Sequence, residues 1–408
     1  MADSAMGFYQ AQGDLVIERF TNLIDSYSPD GDEFPYDTCL DDTFSIERVN
    51  LKKNQLNQLQ TNLLPLLSRQ VTLLAGLLDP YILQSKPGST FKLILGIQSE
   101  LDLTFKQIQS ALYIVCPESD LISSTRTDDQ HARELKSFRT RGLFQLITES
   151  STLSGIMLLF GEATDFIKYY GFSTEEEEIE SRDISSFLKD ISDHVSSTRK
   201  RVKSSIDWIQ ASDFDLVQFH WPGKINSLEQ RLKTIAKLIK RTSHSKAADG
   251  QSQTPRLSEP ALQLATSLLP VLKLCRLFFN KVSKRGMNDQ KRLPLFTEMR
   301  SDQLRSLSKL AEQVRSATHE FVEFVRKADT TGDLLTMVTN LTLTAEKFES
   351  CFESSVLLIA FYIVPLIPDT NGFPTQKYYQ SWLTTWHLQL SLAMQNLRAA
   401  AKLFGNIA

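Results

Sequence analysis

Apolar residues recur at three- and four-residue steps along almost the whole chain. Near the C-terminus Trp382, Trp386, Leu390, Ala393, Leu397, Ala400 and Phe404 form one stripe. Upstream, Leu304, Leu307, Ala311, Val314, Thr318, Phe321 and Val325 form another. A helix turns once in about 3.6 residues, so this spacing gathers one face of each helix against a core. No strand-period segment of any length interrupts it. The chain is therefore expected to be all-α, in two antiparallel helical bundles of about five and then four helices.

The punctuation between stripes sets the expected organisation. Residues 1–43 form an acidic N-terminal segment with one short helix (Leu15, Val16, Phe20, Leu23, Ile24, Tyr27) and a proline-containing stretch, SPDGDEFPYD. The first bundle is expected over 44–243. Pro65 lies inside its leucine-rich opening run. Its ring removes a helical hydrogen bond, which predicts a kink or break near Leu63. Ser89 is the expected cap of the next helix. Gly142, Gly155 and Gly161 punctuate a long apolar run at 128–170, where they permit close helix approach or mark a break. The irregular but apolar 211–220 is expected to cross a bundle end, and Pro222 suits the first turn of the following helix. Residues 244–257 lie in a stretch, TSHSKAADGQSQTPRL, with almost no apolar side chains, and are expected to be the linker. The C-terminal four-helix bundle then spans 258–408, opening on Ser258, Glu259 and Pro260.

Charge and cysteines narrow the class. A net charge of −3 over 408 residues predicts no nucleic-acid partner. Residues 1–50 hold eleven acids and two bases, a local −9, which leaves +6 for the rest. Cys39, Cys116, Cys275 and Cys351 are scattered, with no CxxC or zinc spacing, which points to reduced thiols in the cytoplasm or the nucleus. The N-terminus lacks a basic start followed by an apolar run, so no secretory signal is expected. Ser355–Pro368 reads SVLLIAFYIVPLIP, shorter than the roughly 18–20 apolar residues a spanning helix needs, so no transmembrane segment is expected.

Candidate chemistry is sparse. Asp128 and Asp129, with His131 and Glu134 nearby, have the look of a helix start. Aspartate-rich helices of all-helical prenyl-transferring enzymes hold Mg²⁺ and a diphosphate on such carboxylates. The bland alternative is an acidic helix start favoured by the macrodipole. Asp190 and His194 share a helix face but supply only half a metal site. No GxSxG, phosphate-cradling or dinucleotide motif occurs. No metal and no cofactor are expected. Lys233, Lys237, Lys240 and Arg241 put a basic face on one helix, suited to an acidic protein or an anionic membrane surface. Trp382 and Trp386, one turn apart, are core residues if the last helix is packed and partner anchors if it is exposed.

The stretch Leu268–Phe279, LLPVLKLCRLFF, with the basic loop after it, resembles the cyclin-D-interacting (GCIP-like) helical family. The order of elements also resembles uncharacterised fungal helical proteins. The resemblance spans about 45–405. It implies a vinculin-like stacked bundle and a protein-binding role in cytoplasm or nucleus, and it assigns no individual residue. The functional expectation is a non-enzymatic protein-protein interaction or regulatory module. Its partner-binding residues are Lys233, Lys237, Lys240, Arg241, Trp382 and Trp386. The alternatives are a metal- or diphosphate-dependent enzyme centred on Asp128 and Asp129, and peripheral binding of anionic membrane by the basic face.

Overall fold

The computed structural model describes residues 2–27, 46–116, 128–148, 152–175, 182–244, 257–283, 286–288, 293–329, 334–369 and 372–406. The chain is all-α, with no strand among these residues. In order, the helices are α1 (Ala2–Tyr27), α2 (Ile46–Gln58), α3 (Leu64–Leu77), α4 (Pro80–Ser85), α5 (Pro87–Val115), α6 (Ser137–Ile147) and α7 (Thr152–Tyr169). They continue with α8 (Ile184–Gln210), α9 (Asp213–Val217), α10 (Trp221–His244), α11 (Glu259–Val282), α12 (Ser301–Lys327), α13 (Leu334–Leu358) and α14 (Thr375–Asn406).

Two compact units divide the chain. One comprises 1–125 and 134–210; the other comprises 126–133 and 211–408. The division at Gln210/Ala211 corrects the boundary expected at 244–257. The polar stretch 245–256 lies outside the described residues, and α10 before it packs on α11 and α12 in the second unit. Composition marked the chain's least apolar stretch, but α10 carries its own buried stripe (Trp221, Leu228, Ile235), and that stripe decides which core it joins.

In the first unit α5 is central, touched by α1, α2, α3 and α4, while α8 packs on α3, α6 and α7. Helix α1 runs parallel to α5: Val16 O accepts from Gln98 Nε2 (2.9 Å) and Tyr27 Oη donates to Asp102 Oδ1 (2.7 Å). It runs antiparallel to α7, with Phe20 beside Phe160. Gly171, at φ +73°, closes α7 in the left-handed conformation that glycine adopts without strain. Gly171 N donates to Lys168 O and Phe172 N to Ile167 O, and this turn brings the Phe172 carbonyl against Gly13 of α1. The long run expected at 128–170 is two helices, and Gly142 in α6 leaves room for the Trp208 indole.

Pro65 does not break the helix. Leu59–Leu63 widen into a π-turn in which the Leu64 N–H reaches back to Leu59 O. The wider turn shifts the carbonyl that the proline ring would otherwise strike. A π-turn recurs at Ile359–Ile363, ahead of Pro365, but there the helix ends in a 3₁₀ turn, Val364–Leu366. Ser89 is not a cap; it lies inside α5, and the capping aspartate is Asp79, which accepts from Tyr81 N and Ile82 N at the start of α4. Ser258 caps α11 as expected, accepting from Ala261 N.

In the second unit α11, α14, α13 and α12 each touch the next, and α10 lies along α11 and α12. Paired residues give the directions. Phe278 and Lys281 of α11 meet Trp386 and Tyr378 of α14, so these helices are antiparallel. Glu320 and Gln303 of α12 meet Thr344 in α13 and Tyr362 in the π-turn that extends it, again antiparallel. Glu349 of α13 pairs with Arg398 of α14, while Phe352 packs on Trp386. Among the described residues the unit therefore holds five long helices, because α10 belongs to it.

Candidate functional site

The basic face sits on a helix that is firmly held from behind. Trp221 Nε1 donates to Ser308 O (3.2 Å), and Arg231 donates to Arg315 O (2.7 Å) and Thr318 Oγ1 (3.0 Å). Lys224 pairs with Glu312 at 2.6 Å. Hydrogen bonds from Arg315 and Lys224 pull the Glu312 carboxyl down to about 2. All three tethers run from α10 to α12. The opposite side of α10 carries Lys233, Lys237, Lys240 and Arg241, every one exposed. None has a hydrogen bond or ion pair among the described residues. Between Gln230 and His244 the helix contains no acidic residue.

The two tryptophans part ways. Trp386 is 3% exposed, packs on Phe278 and Phe352, and donates from Nε1 to Leu274 O at 2.9 Å. It is a core residue, which corrects its listing among the partner-binding side chains: a large aromatic on the inward stripe is drawn into the core by its apolar area. Trp382 is half-buried beside it, with the Lys281 ammonium 6.0 Å from its ring.

Asp128 and Asp129 do not open an α-helix of their own. They precede a short 3₁₀ turn, Arg133–Leu135, and Asp129 instead serves α12. Its carboxylate accepts from Ser301 N (2.9 Å) and Ser301 Oγ (2.5 Å) at the first turn of α12. A helix start exposes unsatisfied N–H groups and a positive dipole end, and a carboxylate supplied from elsewhere in the chain answers both. Asp129→Ala should therefore cost about 0.5–2 kcal/mol. A melting scan of the variant should fall by the same amount with and without Mg²⁺; a metal-dependent difference would restore the enzyme alternative.

Other chemistry is spoken for. Asp190 pairs with Arg182, which also reaches Glu162 at 3.2 Å, and not with His194. Among the described residues no group of three His, Cys, Asp or Glu side chains is placed to hold a metal ion. A cleft of about 730 Å³ lies between α12 and α13, lined by Ser306, Gln313, Ser316, Glu320, Lys347 and Cys351 among others. Burial pushes the Cys351 thiol up to about 12, so it is protonated at neutral pH and a poor nucleophile. Cys116, Cys275 and Cys351 form no disulfide among the described residues; Cys39 lies outside them.

Three stretches, Ser137–Tyr169, Glu259–Val282 and Leu335–Leu366, are long and apolar enough to cross a membrane by length and composition. The last overlaps the segment expected to be too short, taking in Ser355–Leu366 together with the helix before it. Sequence reasoning also passed over the outward face of α14, where Leu388 and Leu392 are 63% and 51% exposed. The signal was present: Tyr378–Leu397 contains no Asp, Glu, Lys or Arg.

Comparison with known proteins divides the chain where the structure does. Residues 52–210 match a family model described as Domain of unknown function (DUF8723). No curated protein and no solved structure matches the chain. Residues 212–399 match a second family model, Domain of unknown function (DUF8721), so the two matched stretches meet at the boundary between the two compact units.

Proposed function

We propose that the chain is a non-enzymatic helical interaction module that holds an acidic segment of a protein partner on the outer face of α10. One observation carries the reading: four exposed cations on one helical face that carries no acid beyond Glu229 at its start, free of partners among the described residues. The fold does not consume that face, because α10 spends its apolar stripe on α11 and α12. Opposite charge attracts and steers a partner while leaving the bundle unchanged. Scattered cysteines with no disulfide among the described residues suit a reducing compartment, the cytoplasm and by extension the nucleus. The Mg²⁺ reading is weakened because Asp129 is engaged at the start of α12. Membrane binding is weakened because a surface helix anchors through its apolar face, and that of α10 is turned inward.

A labelled glutamate-rich helical peptide tests this, with the same peptide carrying glutamine for each glutamate and phosphatidylserine vesicles as the other arms. Four screened ion pairs at about 0.5 kcal/mol each amount to about 2 kcal/mol, roughly thirtyfold in Kd. The Lys233→Glu, Lys237→Glu, Lys240→Glu, Arg241→Glu variant should lose that factor, and added salt should weaken wild-type binding. Equal peptide binding by the variant would sink the proposal. Binding to the vesicles alone would replace it with the membrane reading.

A further inference from the structure

Helix α14 carries two seams. The inward one, Tyr379, Leu383, Trp386, Leu390, Ala393, Leu397 and Ala400, is buried in the second unit. The outward one, Ser381, Thr385, Leu388, Leu392, Gln395 and Ala399, is exposed along its length. Its steps run four, three, four, three, four, the spacing by which one helix packs along another. An outer helical face of a globular domain ordinarily carries charge. This one has none between Lys377 and Arg398. On the neighbouring α13 and its π-turn, Leu357 and Phe361 are also exposed.

We infer that this seam pairs with the same seam of a second copy of the chain, the two α14 helices running antiparallel about a two-fold axis. The inference is independent of the acidic-partner reading, which concerns α10. Three features select a second copy. First, the seam complements itself: in antiparallel register Leu388 meets Leu392 of the other copy, Thr385 meets Gln395 and Ser381 meets Ala399. Large residues fall at the centre, a polar pair flanks them, and small residues sit at the ends. Second, groups beside a two-fold axis meet their own copies, so a charge there repels itself; a self-pairing face must be free of charge, and this one is. Lys377 and Lys402 continue the seam at its two ends and fall beside each other across the pair, both exposed, where solvent screens their repulsion. Third, Gln389, Gln395 and Asn396 share the exposed side, and hydrocarbon would leave their amides without partners. Another helix supplies those partners; a lipid surface does not.

Light scattering on the full chain at micromolar concentration reads the outcome. Wild type should elute with the mass of two chains. Leu388→Lys with Leu392→Lys should elute as one folded chain, its melting temperature lower only by the stabilisation that association supplied. Oxidation of the variant carrying both Ser381→Cys and Ala399→Cys should give a disulfide-linked dimer above the wild-type background, and either single substitution should not. Those two positions are 18 residues apart on one helix, about 27 Å, so they cannot bridge within a chain. A single-chain mass for wild type overturns the inference, whether or not the protein then floats with lipid vesicles. A two-chain mass that survives the double lysine variant overturns it as well. Should that variant unfold, the cysteine pair decides: no linked dimer means no α14 pairing.

Discussion

Trp386→Ala should unfold the second unit at a markedly lower temperature. The indole stands among Phe278 (4.6 Å between centroids), Phe352 (5.0 Å) and Trp382, and its N–H is held by Leu274 O. It therefore joins α14 to both α11 and α13. Removing a buried tryptophan costs about 3–5 kcal/mol, because the neighbours close the cavity only in part. For a unit of this size that amounts to a fall of about 10 °C in Tm. Leu388→Ala, on the opposite face of the same helix, should change the stability of the single chain, read at a concentration too low for pairing, by no more than about 0.5 kcal/mol. Near-UV circular dichroism through the melt separates the two. Equal, small effects would place Trp386 on a surface.

Gly13→Ala should loosen α1 from the first unit. A Cβ built on Gly13 lies 1.8 Å from the Phe172 carbonyl oxygen, a backbone atom that cannot swing away as a side chain could. The turn around it is held: Asp14 accepts from Ser173 Oγ (2.7 Å) and Thr174 Oγ1 (2.7 Å), and Gln10 Nε2 donates to Gly171 O (3.3 Å). Alanine favours a helix interior over glycine by about 1 kcal/mol, while overpacking of this kind costs about 1–3 kcal/mol or more. With an overlap this deep, the steric cost should win by about 2 kcal/mol. Amide exchange across α1 should accelerate, most visibly around buried Val16 and Phe20. Gly7→Ala on the same helix meets nothing within 4 Å and should stabilise slightly. If both variants behave as Gly7→Ala does, α1 does not seat against the Phe172 turn.

The all-α class and most helix positions were legible from spacing alone. A 3.6-residue stripe is a local property, and each long helix needed no distant residue to declare its inward face. The Ser258 start, the helix at Trp221 and the inward stripe of α14 are of this kind. What the stripe could not convey is which core it joins. The stripe of α10 reads the same whether the helix closes the first bundle or lies along α11 and α12; only packing distinguished them, and the boundary moved from 244–257 to 210/211. Asp129 is the sharpest case. Two adjacent aspartates looked like the opening of their own helix, yet one serves a helix start 172 residues away, a pairing that sequence spacing cannot express. The prolines at 65 and 365 are similar: their cost is local, but whether the chain breaks or widens into a π-turn depends on the core it would have to leave. The exposed seam of α14 needed both kinds of information. Its lack of charge was written in the sequence, and its exposure was decided by which side of the helix α11 and α13 cover.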